Sequence, residues 1–552
     1  MMVAIDKPKR HGEPYEKDKY IAYFCMEYGL ASHFKIYSGG LGILAGDHLK
    51  AAKDAGVPLV GIGIKWQQGY VEQRMTPEGQ VVDCYRSLEG SSLEDTGIIV
   101  HVTIREDQVP VKVWKTEAFG NVPLYLLDTV VSESPYHWVT RQLYGGTEEE
   151  RVAQEIVLGV GGLRALQALR IPVMTYHFNE GHAVLAGLAL LREKMEMGAD
   201  FHSAWKNTRQ QIVFTTHTPI PAGNESHPLA RLRYMSAHQG LTIEQLAEIG
   251  GAPFNMTVAG LRLSRRANSV AALHLETTKS MWHSVEGKAP LTNITNGVHV
   301  PTWMDERLNR SSLTAAHVKR VHSENRSELF ELVKERKGVQ LNPQGLVVGF
   351  ARRAAPYKRS DLIFSQMERI EPLLKQQRLQ LIFSGKAHPM DSKGKEILKK
   401  LVKVQQQYPQ SVVFLEDYDM ALGALLTRGC DIWLNNPQRP KEACGTSGMK
   451  AAMNGVLNVS ILDGWWPEAC RHGVNGWAIG DELVPAKETA QDQRDAEALY
   501  RVLLEEVVPC FEGQQDRWSE MMVASIMDTR EAFSAERMIK AYCREMYHLD
   551  QD

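Results

Sequence analysis

Short apolar, β-rich runs alternate along the chain with longer amphipathic segments, the pattern of α/β architecture built on parallel strands. In the first part this pattern predicts strands at Ile21–Met26, Val57–Ile64, Ile98–Ile104, Val109–Trp114, Val122–Leu127, Val173–His177 and Ile212–Thr216. Between them it predicts helices over Ile43–Ala55, stopped by Gly56 in the C′ position, and over Glu149–Leu169. The run Val258–Trp282 reads as one further helix, and the charged stretch Ala315–Lys337 as a solvated helix leading to a turn at Asn342-Pro343. The alternation then restarts, with strands predicted at Leu346–Ala351, Leu379–Ser384, Val412–Leu415, Asp431–Leu434 and Val456–Leu462. Such a restart marks a second doubly wound unit. A final helix, Ala532–Leu549, is placed to pack back on the first unit. The domain division expected is 1–342, 343–530 and a returning helix within 531–552.

At 552 residues the chain exceeds one ordinary core, in keeping with two large domains. A net charge of -3 supplies no global basic field, so neither nucleic acid nor an anionic membrane is expected as a partner. Any anion site must be local. Seven scattered cysteines without paired spacing fit a reducing compartment and speak against a disulfide framework or a zinc site. His177 and His182 lack a metal-ligand spacing, and no metal is assigned. Met1 to Lys19 is polar, and no run of about 18 apolar residues occurs, so a cytoplasmic protein is expected.

Lys450 ends the small-residue loop Glu442-Ala443-Cys444-Gly445-Thr446-Ser447-Gly448-Met449-Lys450, between apolar flanks that suggest burial. Desolvation makes a lysine a useful imine-forming nucleophile. By itself the loop also suits a solvated or a phosphate-binding lysine. Ser38-Gly39-Gly40-Leu41-Gly42 opens the first helix and suits either an anion at a helix N-terminus or a tight packing turn. Arg352-Arg353-Ala354-Ala355-Pro356-Tyr357-Lys358-Arg359 follows a predicted strand, where parallel sheets bind ligands. Its cations suit phosphate, or a solvated surface. Asn179–His182, Thr215–Pro219 and Thr295–Val298 also follow strands or end the first unit; His217 and Asn296 there could bind sugar hydroxyls or serve the fold.

In this order, Ser38–Gly42, Asn179–His182, His217-Thr218, Thr295–Gly297, Arg352–Arg359, Glu416-Asp417-Tyr418 and Glu442–Lys450 resemble the motifs of α-glucan phosphorylases, from about Tyr23 to Tyr547. Gly-Thr-Ser-Gly-Met-Lys and Leu462-Asp463-Gly464-Trp465-Trp466 make the resemblance nearest to the short bacterial and archaeal branch. The resemblance implies a GT-B fold, two Rossmann-like domains with the site in the cleft between them. It implies pyridoxal 5′-phosphate held on Lys450, with Arg352 and Lys358 near the cofactor phosphate, Tyr418 at the ring, and Gly445 and Thr446 at the cofactor end of the loop. It also implies substrate phosphate bound by Arg353, Lys358 and the N–H groups of Gly39 and Gly40. His217, Asn296 and Glu442 would hold the glucosyl unit, with Leu41 and Tyr357 beside it; Lys450, Arg353, Lys358 and His217 would be the catalytic set. Asp419 stands where long-type members carry arginine, and no N-terminal regulatory arm is expected.

The implied reaction is reversible, retaining phosphorolysis of a terminal α-1,4-linked glucose of maltodextrin, glycogen or starch by inorganic phosphate to α-glucose 1-phosphate. Two phosphate dianions roughly 4.5 Å apart at an effective dielectric of about 20 repel by about 15 kcal/mol, more than one lysine offsets. A shared proton together with Arg352, Arg353 and Lys358 is the compensation expected. A homodimer is an option common in the family. The rivals are an NDP-glucose-dependent glucan synthase of the same fold and a noncatalytic glucan-binding scaffold. A synthase would carry a second glutamate eight residues after Glu442, where this chain has Lys450. An aminotransferase using the same cofactor lacks an evident carboxylate clamp.

Overall fold

The computed structural model describes residues 19–549 apart from 77, 89–91, 133, 221–222 and 484–486. Nearly all of the polar lead-in Met1 to Lys19 therefore lies outside the described residues.

Nine strands form the first sheet. Their order is Leu291–Asn293, Arg266–Ser269, Ile212–Thr215, Val173–Asn179, Tyr20–Phe24, Leu59–Ile64, Leu124–Asp128, Asp107–Thr116 and Glu94–Ile104. Pairing is parallel up to Leu124–Asp128, and the last two pairings are antiparallel. The sheet is thus mixed where the alternation suggested parallel strands throughout. Only Arg105 and Glu106, both at positive φ, join the last two strands of that order, and a two-residue link permits no parallel crossover.

The single helix expected over Val258–Trp282 is not formed. Helix Met256–Leu263, strand Arg266–Ser269 and helix Ala272–Met281 take its place. The strand is polar because its side chains hydrogen-bond inside the protein. Asn268 accepts from Thr215 Oγ1 at 2.7 Å and donates to Tyr542 Oη at 3.0 Å. The helix expected over Glu149–Leu169 is interrupted by a π turn, Val157–Gly161, between helices Glu148–Ile156 and Gly162–Ala168.

The second sheet has six parallel strands in the order Val412–Leu415, Leu379–Ser384, Leu346–Ala351, Ile432–Asn435, Leu457–Ile461, Gly476–Ile479. Relabelled along the chain this is 3-2-1-4-5-6, the doubly wound order. Leu346–Ala351 is buried at every position, as expected of a strand covered by helices on both faces.

Helix Ala315–Lys337 occurs as predicted, with Thr314 capping its start and Gly338 (φ 67) ending it in the left-handed conformation. It is less solvated than its charge suggested. Val318, Val321, Leu329 and Val333 are buried in the cores around the second sheet. Packing thus joins this helix, and Val298, Trp303 and Leu308 before it, to the second sheet, ahead of the expected divide at 342. Each large apolar side chain so buried contributes about 1.5–3 kcal/mol.

The last helix, Ala535–Tyr542, continues through the π turn Cys543–Tyr547 and lies on the first sheet. Tyr547 Oη meets His177 Nδ1 at 2.7 Å, and Arg265 donates to the Met546 carbonyl at 2.7 Å. Where the chain returns, Val298 N–H donates to Phe533 O at 3.0 Å and Ala535 N–H to Val298 O at 2.8 Å. A Cβ on Gly297 would lie 2.1 Å from Ser534 O, so this crossing requires glycine.

Candidate functional site

In the second sheet the strand order reverses at Leu346–Ala351 and Ile432–Asn435, and the segments leaving their carboxyl ends carry the basic run and the Glu442 loop. Such a reversal is where open α/β sheets form ligand crevices. Arg352 Nη2 donates to Glu442 Oε2 at 2.7 Å, and Lys358 Nζ donates to the same oxygen. Burial alone would raise the Glu442 carboxyl, but the two cations hold it down at about 2. The Glu442 N–H donates to Asp463 Oδ2 at 2.9 Å, tying this loop to the Leu462–Trp466 motif.

Two further nitrogens of Arg352, Nε and Nη1, are buried and have no hydrogen-bond partner in the protein. They are donors held ready for an anion that the chain itself does not provide. Tyr418 lies beside this guanidinium, its phenol pushed up to about 12 by burial, with Arg352 opposing. Lys358 also stands 4.6 Å from the centroid of the Tyr357 ring. Arg353 is exposed, with the Tyr357, Tyr70 and Tyr144 phenols as electrostatic neighbours. Arg359 has a different place from the rest of the run: it is buried and pairs with Asp492 and Asp495 at 2.7 Å each. Asp419 accepts from Leu422 N–H at 2.9 Å and so caps helix Met420–Gly429, a local reason for an acid at that position.

Gly445, in the left-handed conformation (φ 84), starts helix Thr446–Met453, which carries Lys450 inward while Thr446 stays half-buried. Lys450 is 7% exposed, and its Nζ lies 3.3 Å from the centroid of the Trp303 ring. Burial lowers the amine to about 8, with the Asp47 carboxylate acting in the opposite direction. Trp303 Nε1 donates to Asp47 Oδ1 at 2.9 Å and Oδ2 at 2.8 Å. Asn454 Nδ2 donates to the carbonyls of Lys450 and Trp303, at 2.8 and 3.0 Å, locking the two backbones together. A buried amine of reduced basicity, on the same loop as an arginine-bound glutamate, suits an aldehyde with an anionic tail.

The first sheet contributes its own reversal, between Tyr20–Phe24 and Val173–Asn179. After the first strand comes Glu27, buried, which accepts from Ser38 N at 2.5 Å, Gly39 N at 3.2 Å and Tyr144 Oη at 2.8 Å. The Gly39 N–H expected for substrate phosphate is therefore already engaged by a carboxylate, while Gly40 and the half-buried Leu41 begin helix Gly40–Asp54. That helix can approach the loop because a Cβ on Gly46 would lie 1.9 Å from Gly29 O. After the second strand, Asn179 Oδ1 meets His217 Nε2 at 2.6 Å. Burial holds His217 down at about 3, so it is a neutral imidazole and not a cation near pH 7.

Asn296 is buried, its Oδ1 has no partner in the protein, and its backbone lies against Cys444 of the Lys450 loop. Thr295 Oγ1 donates to Glu468 at 2.7 Å, and Lys35 pairs with Glu72 at 2.6 Å and Asp417 at 3.5 Å. Loops from the two sheets thus meet around these residues. Sequence reasoning missed Asp47, Trp303, Glu27 and Asp463. One signal was available, since Asp47 is the first acid in helix Gly40–Asp54 and follows the apolar run Ile43-Leu44-Ala45.

Elsewhere Glu155, Glu225 and His227 come together; His227 Nε2 meets Glu155 at 2.9 Å and Arg151 pairs with Glu225 at 3.0 Å, while burial holds the imidazole down and pushes the carboxyls up to about 8 and about 7. Among the described residues no helix is long and apolar enough to cross a membrane.

Comparison with known proteins agrees with the motif reading. The carbohydrate phosphorylase family model matches residues 305–468, the stretch that includes Arg352, Glu442 and Lys450. Maltodextrin phosphorylase of Thermococcus litoralis is 36% identical over 96% of this chain and 70% of its own length. Glycogen phosphorylase of Mycobacterium tuberculosis is 37% identical, again over 96% of this chain and 70% of its own length. Glycogen phosphorylase of Aquifex aeolicus is 34% identical over 98% of this chain and 88% of its own length. With such likeness along almost its whole length, this chain belongs to the carbohydrate phosphorylase family.

Proposed function

We propose that the chain is an α-1,4-glucan phosphorylase, a glycosyltransferase that cuts a terminal glucose with inorganic phosphate to give α-glucose 1-phosphate. Its relatives bear the names of maltodextrin and glycogen phosphorylases. The observation that carries the reading is a buried Lys450 amine on the helix after the Glu442 loop, together with an Arg352 guanidinium that is bound to Glu442 and holds two unpartnered buried nitrogens. These residues fit pyridoxal 5′-phosphate, with Lys450 as its covalent anchor, Arg352 and Lys358 at its phosphate, and Tyr418, Gly445 and Thr446 around it. When bound, this cofactor supplies a phosphate group whose second pKa of about 6 suits proton transfer near neutral pH.

The chain's own groups then bind and orient. Arg353 and Lys358 hold substrate phosphate, together with backbone N–H at Gly40. Glu442 neutralises one positive charge of the Arg352–Lys358 pair, and this reading gives it to a glucosyl hydroxyl when sugar is bound. His217, neutral and oriented by Asn179, accepts or donates one hydrogen bond to the sugar without carrying charge. Asn296 brings an unpartnered buried carbonyl oxygen to the same task. Tyr357 and Leu41 flank the ring.

The same proposal includes a GT-B arrangement, one domain around each sheet, with the cleft between them and the divide ahead of Val298. The separate cores support it. A cytoplasmic location is part of the reading and is supported by seven scattered cysteines without paired spacing. The glucan synthase alternative stays disfavoured because Lys450 occupies the position of its second glutamate, and the cations a noncatalytic scaffold could have lost are all in place.

The test is direct. Purified protein given phosphate and maltodextrin should release glucose 1-phosphate, and borohydride should fix one pyridoxal per chain at Lys450. Lys450→Ala should lose cofactor and activity together. A chain that carries no pyridoxal and forms no glucose 1-phosphate ends this reading.

A further inference from the structure

Asp47 is fully buried in helix Gly40–Asp54, within a run from Gly42 to Ala52 that is buried at every position. An acid in such a place is strongly disfavoured unless another group satisfies it. Both its oxygens accept from the edge of the Trp303 indole, while the face of the same indole carries the Lys450 amine. One aromatic ring therefore links a buried anion to a buried cation. Three separate elements supply the trio: the first long helix, the segment before helix Ala315–Lys337, and the Lys450 helix.

We infer that Asp47 is a positioning residue for Lys450: through Trp303 and through its own charge, it keeps the amine over the indole face and sets how readily that amine releases its proton. The importance of this for catalysis rests on Lys450 being the cofactor anchor, but the electrostatic claim does not. An amine must be neutral to add to an aldehyde carbon, and burial by itself pulls Lys450 toward neutrality. Asp47 opposes that pull, while burial pushes its own carboxyl up and Lys450 draws it back, so the two buried groups compensate each other. The other titratable groups facing Asp47 are His299 and Lys50. Lys50 donates to the Leu30 carbonyl at 2.9 Å and Thr302 Oγ1 at 3.1 Å, and His299 meets Asp54 at 2.8 Å. Lys450, over the indole, is the one with no hydrogen-bonding partner of its own described here.

The test measures the amine itself. Full-length protein stripped of pyridoxal is treated with cyanate, which carbamoylates neutral amines, across a pH series, and modification at Lys450 is read by peptide mass. Asp47→Asn removes the negative charge with little change of shape. It should move the midpoint of Lys450 modification about one pH unit lower, roughly a tenfold faster reaction near neutral pH. Asp47→Glu should restore part of the wild-type profile. Trp303→Phe keeps the ring face and removes the N–H donor; it should shift the midpoint in the same direction but less, and it serves as the second variant should Asp47→Asn fail to fold. Coincident profiles in the wild type and the folded variants, including equal absence of reaction, overturn the inference. A second arm adds pyridoxal 5′-phosphate and borohydride. Shifted cyanate profiles with no pyridoxal fixed at Lys450 would sink the cofactor reading and leave the role of Asp47 standing.

Discussion

Arg352 and Glu442 face each other at 2.7 Å, and Lys358 donates to the same carboxylate oxygen, so one anion is shared between two cations. The trio retains a net positive charge in a largely buried place, while two of the Arg352 nitrogens still lack partners. A second anion is what this arrangement accommodates.

Acid should expose the contribution of Glu442. Its folded pKa of about 2 lies below that of an unfolded glutamate, so its stabilisation is complete above about pH 4.3 and is lost as pH falls toward 2. A depression of that size corresponds to about 3 kcal/mol. Urea unfolding of the cofactor-free protein at a series of pH values should show Glu442→Gln less stable at pH 7 by about 3 kcal/mol, since two buried cations lose their partner. The difference should narrow between about pH 5 and pH 2. A constant difference across that range would show that Glu442 does not carry the acid dependence.

Arg353 is exposed, so its removal should leave the fold almost untouched, within about 0.5 kcal/mol. Loss of a charge-assisted contact of about 1.5–3 kcal/mol should raise the phosphate concentration needed for half-maximal phosphorolysis by about tenfold or more. Initial rates of Arg353→Ala against phosphate, at saturating maltodextrin, provide the measurement. An unchanged phosphate response removes Arg353 from the binding set.

Gly297→Ala should loosen the last helix. The added Cβ would meet the Ser534 carbonyl carbon at 2.4 Å and its oxygen at 2.1 Å, and backbone atoms cannot simply rotate away. Overpacking of this kind costs about 1–3 kcal/mol. Limited proteolysis should then release the C-terminal segment sooner than in the wild type, together with a lower melting temperature. Equal protection of residues beyond Ser534 would contradict the tight crossing.

Much of the second sheet was legible because its strands are continuous apolar runs between polar turns. Leu346–Ala351, Leu379–Ser384 and Val412–Leu415 have the ends that the pattern predicts. Arg266–Ser269 was hidden because its stability depends on buried hydrogen bonds from Asn268, which hydrophobic periodicity does not register. Gly476–Ile479 escaped because it opens on glycine and holds one β-branched residue, whereas the equally short Val412–Leu415 is a continuous apolar run. At the site, Arg352 with Lys358 and Glu442 with Lys450 were each readable as a short motif, and the resemblance to α-glucan phosphorylases joined the two, which lie 90 residues apart. Their neutralising partners were not. Asp47 and Trp303 are 256 residues apart and meet only through folding, and nothing local marks Glu27 as the acceptor for the glycine turn.

The paired crossing at Val298 and Phe533–Ala535 has a mechanical consequence. Here the segment leading to the second sheet and the segment returning to the first run side by side, hydrogen-bonded to each other. Two separated tethers would brace the halves like a door hung on opposite edges. Under the two-domain reading proposed above, a doubled strap at one place would give the halves a single axis to turn on.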